Sequence, residues 1–347
     1  MSRRVGIGLA GLGRMGRLHA ANLRRAPSVD LVQVVDADER LAQTTAEEVG
    51  SEWSTSYDDL LGDPRIDAIA IATPTPLHAP MIEAAAAAGK HVFCEKPIAL
   101  DLDSSRRAVG AAHAAQIKLQ VGFHRRFDPD WAAAAARIAA GELGDVYLFR
   151  TSLRDMKPPP IEYIRTSGGI FVDCTIHDLD TARWLVGDID EVTALGAALS
   201  GPAFAEVGDV DNAIVTLRFA SGALGVIDNS RVAGYGYDCS TEIVGSKAAV
   251  RIAHHRRVNN VWLTPGAATV DWVADFTERY AQAYLHELED FAAAIRDNRP
   301  VAVSGEDALA AYVLACACDR SLRERRPVQL RHADAGHGVV YALDEAA

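Results

Sequence analysis

Long apolar runs and paired cysteines are both missing from this sequence. No stretch reaches the roughly 18 uninterrupted apolar residues that a membrane span needs, so we expect no transmembrane helix and no membrane partner. The five cysteines form an odd and scattered set. That pattern predicts reduced thiols in a cytoplasmic protein, with neither disulfides nor a metal site.

Positive charge is also in deficit. The chain has 35 Lys and Arg residues against 47 Asp and Glu residues, which gives a net charge of −12 at pH 7. A chain with this balance has no general electrostatic attraction to nucleic acid or to anionic lipid. We therefore expect neither as a partner.

The 347 residues are enough for two domains. Over residues 1–122, apolar runs such as "RVGIGLA" and "DLVQVVDAD" alternate with helical patterns, which predicts an α/β domain with a Rossmann-type, doubly wound parallel sheet. Over residues 123–332, strand-like runs follow one another with few helices between them. They indicate an α+β domain with a large open, mostly antiparallel sheet. Residues 333–347 have a weak pattern and are left unassigned.

A glycine-rich loop, "GLGRMG", stands directly between the first strand and the first helix. Glycines at this spacing permit a tight turn and let the backbone approach a pyrophosphate at the helix N-terminus. Asp36 ends the second strand, where a carboxylate can accept hydrogen bonds from ribose hydroxyls and repel a 2′-phosphate. This arrangement favours NAD over NADP, although Arg40 lies nearby. The loop residues expected at the cofactor are Gly11, Gly13, Arg14, Met15 and Gly16.

The turn "ATPTPLH" follows the apolar strand "IDAIAIAT", at the edge of the sheet where ligands of such folds bind. We expect Thr73, Pro74, Thr75 and His78 to face the cofactor, since hydroxyl groups there can reach a diphosphate or a ribose. The alternative is structural: the threonines form the turn and His78 begins a helix.

The next strand ends in "CEKP". Pro97 biases Lys96 away from helical geometry and holds it extended. We predict that Glu95 and Lys96 lie beside the cofactor and that the Lys96 ammonium stabilises the alkoxide that forms as hydride leaves. The alternative is a surface ion pair between Glu95 and Lys96.

The segment "GGIFVDCTIHDLDTARWLVGD", residues 168–188, predicts a helix with polar groups among its apolar positions. Asp173 and His177 are four residues apart, so they share a face, which Asp180 and Trp184 continue. Histidine suits the removal of a hydroxyl proton near neutral pH, and a neighbouring carboxylate would orient its ring. The alternative is a structural His–Asp hydrogen bond in the core. The histidines show no H-x-x-x-H or H-E-x-x-H pattern of a metal site.

Taken together, these motifs resemble the Gfo/Idh/MocA oxidoreductases, and among them the bacterial inositol 2-dehydrogenases. The resemblance covers roughly residues 4–330 and rests on "GLGRMG", "ATPTPLH", "EKP", "GFHRRFD", "SGGIFVDCTIHDLDTARWL", "GYGYD" and "AYLHELEDFAAAI". It implies that Lys96, Asp173 and His177 are catalytic and that the open sheet mediates a homodimer or homotetramer. It also adds weaker substrate-binding candidates, namely Arg126, Arg154, Asp155 and Tyr235.

The resemblance implies NAD-dependent oxidation of a cyclic polyol, with myo-inositol converted to 2-keto-myo-inositol. Another cyclitol such as scyllo-inositol, an aminocyclitol precursor or an aldose is the alternative within the same chemistry. His124 and Met156 differ from the residues frequent in inositol enzymes, so the choice among polyols stays open. A non-enzymatic NAD-sensing regulator is a more remote alternative, which the joint presence of Lys96, Asp173 and His177 disfavours.

Overall fold

The computed structural model describes residues 3–253, 255–258, 260–334 and 339–343. These residues divide into two compact units. Unit 1 contains the chain up to Phe127 together with Gln282–Leu309, and unit 2 contains Asp128–Ala281 together with the residues from Ala310 onward. No helix of the described residues is long and apolar enough to cross a membrane.

Strands and helices alternate through the first part of unit 1. The elements are β1 (Val5–Ala10), α1 (Arg14–Arg25), β2 (Val29–Val35), α2 (Glu39–Val49), β3 (Glu52–Ser54), α3 (Tyr57–Gly62), β4 (Ala68–Ile71), α4 (His78–Ala87), β5 (His91–Cys94), α5 (Leu102–Ala114) and β6 (Leu119–Val121). The six strands form one parallel sheet in the order β3-β2-β1-β4-β5-β6. This order, which reverses beside β1, is that of the dinucleotide-binding fold and confirms the predicted parallel sheet.

The rest of the chain is richer in long strands. Its elements are α6 (Pro129–Ala139), β7 (Val146–Arg154), α7 (Ile161–Ile164), α8 (Ile176–Val186), β8 (Ile189–Ala197), α9 (Pro202–Glu206), β9 (Asn212–Phe219), β10 (Leu224–Ser230), β11 (Asp238–Gly245), β12 (Ala249–Ile252), β13 (Trp262–Thr264), β14 (Ala267–Thr269), α10 (Phe276–Arg279), α11 (Ala281–Arg296), α12 (Gly305–Glu324), β15 (Val328–Asp334) and β16 (Val339–Leu343).

Eight of these strands form one sheet in the order β12-β11-β7-β10-β9-β8-β15-β16. Every neighbouring pair is antiparallel except β7 and β10, which confirms the mostly antiparallel sheet expected from the sequence. Strand β9 shows how its faces differ, because buried and exposed residues alternate along it. One face therefore belongs to the core of unit 2, and the other is open. Strand β16 lies in the tail that the sequence pattern left unassigned.

Helix α11 supplies part of the core of unit 1, although the sequence analysis placed it in the second domain. Leu288, Phe291 and Ala292 are fully buried in one cluster with Ile7 and Leu9 of β1. These apolar residues recur at helical spacing, so α11 presents a continuous stripe to the other buried side chains. Unit 1 is thus built from two separate stretches of sequence.

The segment predicted as one helix over residues 168–188 has two parts. Phe171–Thr175 is a π-helical turn, and α8 follows from Ile176 to Val186. A π turn has i→i+5 hydrogen bonds, so the α-helical spacing used for Asp173 does not hold there. Such turns occur often at functional sites.

Candidate active site

The glycine loop of unit 1 has the shape that a bound pyrophosphate requires. Gly11 has a φ of +88°, and a Cβ on it would lie 2.5 Å from the Thr73 backbone nitrogen. A Cβ on Gly16 would lie 1.9 Å from the Gly11 carbonyl oxygen, so a glycine is needed for α1 to pack this closely against the loop. Gly13, the residue before α1, has open space where its Cβ would be. The loop therefore leaves its free side at the helix N-terminus, where phosphate groups bind.

Asp36 is fixed beside this loop. Its Oδ2 accepts a hydrogen bond from the Leu12 backbone N–H at 2.7 Å, and its Oδ1 accepts one from the Asp38 N–H at 2.9 Å. Each carboxylate oxygen can accept a further hydrogen bond, so the group can still bind ribose hydroxyls. Arg14 and Arg40 are exposed, and Met15 is half-buried in the first turn of α1. The loop and this carboxylate fit a dinucleotide without a 2′-phosphate.

His78 connects two of the predicted cofactor segments. It is the first residue of α4 and is buried, with its Nε2 2.7 Å from the Thr73 carbonyl oxygen and its Nδ1 2.8 Å from the Pro97 carbonyl oxygen. Burial lowers the pKa of His78 and outweighs these two contacts, which favour the charged ring. The ring thus contacts the protein backbone on both sides. This matches the structural alternative for His78, in which it begins a helix, rather than a cofactor contact. Pro74 is exposed, and Thr75 begins a short 3₁₀ turn.

Glu95 and Lys96 follow β5, and the Lys96–Pro97 peptide bond is cis. Glu95 is only 9% exposed, and its Oε1 lies 2.7 Å from Nε2 of the buried His19. Its Oε2 accepts a hydrogen bond from the Lys96 backbone N–H at 3.3 Å. Burial disfavours the charged carboxylate, but the neighbouring His19 and Lys96 outweigh it and lower the pKa of Glu95. Because Glu95 is buried, it does not match the alternative prediction of a surface ion pair between Glu95 and Lys96.

In unit 2, Asp173 is held by two donors. The Tyr163 hydroxyl donates to its Oδ1 at 2.8 Å, and Nη1 of Arg231 donates to its Oδ2 at 2.9 Å. The Arg231 side chain is 1% exposed, and its Nη2 lies 3.8 Å from the Asp209 carboxylate. Burial opposes the Arg231 charge, but Cys174 and the carboxylates outweigh it and raise the pKa of Arg231. Both oxygens of Asp173 are therefore fixed in place by donors.

Sequence reasoning missed Tyr163, Asp209 and Arg231. Tyr163 lies ten residues before Asp173, whereas Asp209 and Arg231 lie 36 and 58 residues after it, and no spacing pattern connects them. Burial, Asp173 and its hydrogen bond all raise the pKa of Tyr163, so this hydroxyl stays protonated and remains a donor. Arg231 occurs directly after β10, in "DNSRVAG", where the sequence alone gives it no partner.

Helix α8 carries a second buried carboxylate. Asp178 is fully buried and accepts hydrogen bonds from Nδ2 of Asn229 at 2.8 Å and from the Thr151 hydroxyl at 3.4 Å. These contacts tie the helix to the covered face of β7 and β10, which makes Asp178 a structural residue. His177 is half-buried on the same helix, and Asp180 is buried.

The substrate-binding candidates Arg154 and Tyr235 belong to a separate cluster. Nε of Arg154 donates to Oδ1 of Asp228 at 3.0 Å, and its Nη1 donates to the Tyr235 hydroxyl at 3.1 Å. Because side chains alternate along a strand, Arg154 lies on the opposite face of β7 from Thr151, which contacts α8. The structure therefore does not group Arg154 with Asp173 and its donors.

The two other candidates differ from each other. Arg126 belongs to unit 1, where its Nη1 lies 3.3 Å from both the Ala302 carbonyl oxygen and an Asp307 carboxylate oxygen. Asp155 directly follows β7 in unit 2, and its backbone exchanges hydrogen bonds with Ser230 and Ala233. Asp155 is half-buried.

These features define a class: a two-domain oxidoreductase with a Rossmann nucleotide-binding half. Residues 5–123 match the family model described as "Oxidoreductase family, NAD-binding Rossmann fold". Residues 135–330 match the one described as "Oxidoreductase family, C-terminal alpha/beta domain". The chain belongs to the Gfo/Idh/MocA family of oxidoreductases, and its first domain is the NAD-binding domain of that family. The family predicted from the motifs is confirmed.

Similar proteins match over nearly the full chain. The chain is 42% identical over 330 residues to the myo-inositol 2-dehydrogenase of Thermotoga maritima, covering 93% of this chain and 98% of that protein. It is 40% identical over 333 residues to the scyllo-inositol 2-dehydrogenase (NAD(+)) of Bacillus subtilis, covering 95% and 97%. The crystal structure of a putative myo-inositol dehydrogenase from Sinorhizobium meliloti 1021 has a TM-score of 0.91 at 42% identity, covering 94% and 99%.

Proposed function

We propose that the protein oxidises a secondary hydroxyl of a cyclic polyol with NAD, and that its substrate is myo-inositol, which becomes 2-keto-myo-inositol. The observation that carries this proposal is the fixed carboxylate of Asp173, four residues before His177, in a chain that also has the glycine loop and Lys96. The relatives named for myo- and scyllo-inositol support the substrate class.

The cofactor-binding residues we propose are those around the open side of the glycine loop. The backbone at Gly13 and the first turn of α1, with Arg14 and Met15, would bind the pyrophosphate, and Asp36 would bind a ribose. Thr73, Pro74 and Thr75 would line the next edge of the sheet, with His78 supporting the turn from behind. Bound NAD supplies the acceptor for the hydride that leaves the substrate carbon.

The chain's own residues manage the proton and the developing charge. We propose that His177 accepts the hydroxyl proton as the C–H bond breaks, since an imidazole can exchange protons near neutral pH. Asp173, anchored by Tyr163 and Arg231, stabilises the protonated imidazole. Lys96 donates a hydrogen bond to the substrate oxygen and stabilises its negative charge. Arg126, Arg154, Asp155 and Tyr235 stay predictions as substrate-binding residues.

A substrate panel tests the activity. Purified protein with NAD and myo-inositol at mildly alkaline pH should produce NADH absorbance, and scyllo-inositol and glucose should be slower substrates. Faster turnover of scyllo-inositol would favour the alternative within the same chemistry. If no cyclitol or sugar is oxidised, the proposed activity is wrong.

Two variants test the roles. His177→Ala and Lys96→Ala should each lower kcat by about 10²–10⁴-fold, the range for lost acid–base groups. Lys247→Ala and His113→Ala are matched controls because both side chains are exposed, and they should keep full turnover. Unchanged kcat in either test variant would remove that residue from the mechanism.

We propose that the protein is a homodimer or homotetramer that assembles through the open face of the large sheet. Leu148, Leu195, Ile214 and Leu224 share this face by strand register and are 47–67% exposed. Adjacent exposed aliphatic residues mark interaction surfaces. Light scattering during size-exclusion chromatography should give a multiple of the chain mass, and Ile214→Asp should reduce it. A monomeric wild type would contradict this proposal.

We also propose a cytoplasmic location. The five cysteines are thiols, and Cys94, Cys174, Cys239 and Cys318 are buried, as expected of a protein from a reducing compartment. Fractionation of the producing cells should recover the protein with cytoplasmic markers.

A further inference from the structure

A buried carboxyl group in unit 1 has no role in the mechanism proposed above. Glu287 lies on α11 and is fully buried, and no N–H or O–H of the described chain donates to either of its oxygens. An isolated buried carboxylate costs several kcal/mol, so such a group is normally paired or neutral.

Glu287 belongs to a cluster of three ionisable groups. One oxygen of Glu287, one oxygen of Glu95 and one ring nitrogen of His19 all lie within 4.8 Å of one another. The three residues come from α11, from the segment after β5 and from α1, so the tertiary fold brings them together. The two carboxyl groups therefore share one buried space.

The surroundings of this cluster offer little compensation. His19 packs edge-on to Phe93 and Tyr284, with ring centroids 5.3 and 6.1 Å apart. Nε2 of Gln120 donates a hydrogen bond at 2.8 Å to the Glu287 backbone carbonyl, not to its carboxyl group. In the described chain, the other titratable groups beside the cluster are Lys96, His78, Cys94, Tyr284 and His124, the last stacked on Tyr284 with ring centroids 4.6 Å apart.

The two carboxyl groups have unequal access to donors. Glu95 has the His19 ring at 2.7 Å and the Lys96 backbone N–H at 3.3 Å, whereas Glu287 has neither. Two neighbouring carboxylates in an apolar space cannot both be ionised cheaply, so the proton goes to the one with fewer donors. Burial first, and then the charge of Glu95, raise the pKa of Glu287 well above its usual range.

We propose that Glu287 carries a proton that it donates to Glu95, and that this hydrogen bond positions the Lys96 segment for catalysis. Glu95 directly precedes Lys96 and contacts its backbone N–H, so a fixed Glu95 side chain also fixes the start of the Lys96–Pro97 segment. The space is tight on the other side, since a Cβ on Gly122 would lie 3.2 Å from Oε2 of Glu95. Glu287 is then a positioning residue, and this role rests on the proposed function of Lys96.

Infrared spectroscopy of the full-length protein tests the protonation state without any enzyme assay. At neutral pH the wild type should show the carbonyl band of a protonated carboxylic acid, and Glu287→Gln should lack it. Glu289→Gln is the matched control, because Glu289 is on the same helix outside the cluster, and it should retain the band. If the wild type has no such band, or if metal analysis finds a stoichiometric divalent ion in its place, the proposal is wrong.

The dependence of stability on pH gives a second readout. The folded chain keeps a proton on Glu287 that the unfolded chain releases near the ordinary pKa of glutamic acid, so rising pH favours unfolding. The Tm of the wild type should therefore fall more steeply above pH 5 than that of Glu287→Gln. Parallel curves for the two proteins would overturn the proposal.

Kinetics then tests the link to Lys96. Glu287→Gln keeps a donor for Glu95, so its kcat at neutral pH should remain within about threefold of the wild type. Glu287→Leu lacks the donor, so its kcat should fall about 10–100-fold because Lys96 is misplaced. Equal kcat values for the two variants would refute the positioning role. If the wild type itself oxidises no polyol, the proposed function fails, while the infrared and Tm results still decide where the proton is.

Discussion

Replacing Arg231 by methionine should be the most damaging single change around Asp173. The guanidinium is 1% exposed and donates to Oδ2 of Asp173 at 2.9 Å, so its removal takes the charged donor away from a carboxylate that is only 11% exposed. Breaking one side of a buried ion pair costs about 3–5 kcal/mol. For a domain of this size the loss corresponds to a fall in Tm of about 6–20 °C.

Thermal and urea unfolding of the full chain measure this cost. Arg137→Met is the matched control because Arg137 makes an exposed ion pair with Glu142 on unit 2, and its effect should stay below about 1 kcal/mol. Asp173→Asn and the double variant complete a double-mutant cycle. The double variant should be less destabilised than the sum of the single changes, by about 1–3 kcal/mol.

The same variant carries an expectation for catalysis. With Arg231 gone, the Asp173 carboxylate can rotate, and a misoriented support for His177 should lower kcat by about 10–100-fold. A Tm for Arg231→Met equal to that of Arg137→Met, or strict additivity in the cycle, would refute the reasoning that the ion pair holds Asp173.

Three further predictions follow from unit 1. Gly13→Ala should fold normally but bind NAD at least about tenfold more weakly, because its Cβ enters the open side of the loop. Gly16→Ala would place a Cβ 1.9 Å from the Gly11 carbonyl oxygen, so this variant should be insoluble or unfold at a much lower temperature. Asp36→Ser should raise kcat/KM with NADP about tenfold or more by removing the repulsion of a 2′-phosphate. Because burial lowers the pKa of His78, wild-type stability should fall as the pH drops below about 6.5, and His78→Asn should flatten that part of the Tm curve.

Much of unit 1 could be predicted because its signals are local. The alternation of strands and helices, the glycine loop and the position of Asp36 at the end of β2 are all readable within short windows of sequence. No local signal of this kind identifies Glu287. It lies on the stripe formed by Tyr284, Leu288 and Phe291, but a lone acidic residue on an apolar stripe has no evident partner in the sequence.

The missing parts of the site depend on contacts that only the tertiary fold makes. Tyr163 and Arg231 reach Asp173 only because the fold brings α7 and the end of β10 to the π-helical turn. The π turn itself could not be predicted, because the apolar spacing of the segment is that of an ordinary helix. Arg154 illustrates a different problem, since strand alternation separates it from the residues that contact α8, and the boundaries of β7 must be known before that alternation can be applied.

The discontinuous core of unit 1 constrains how the protein is made. Leu288 and Phe291 complete a cluster that begins with Ile7 and Leu9, so a ribosome must synthesise the chain through α11 before the nucleotide-binding half can close its interior. A fragment that ends at Phe127 would expose the surface that α11 covers and should aggregate. The NAD-binding half is thus not a detachable module, and its folding waits until α11 has been synthesised.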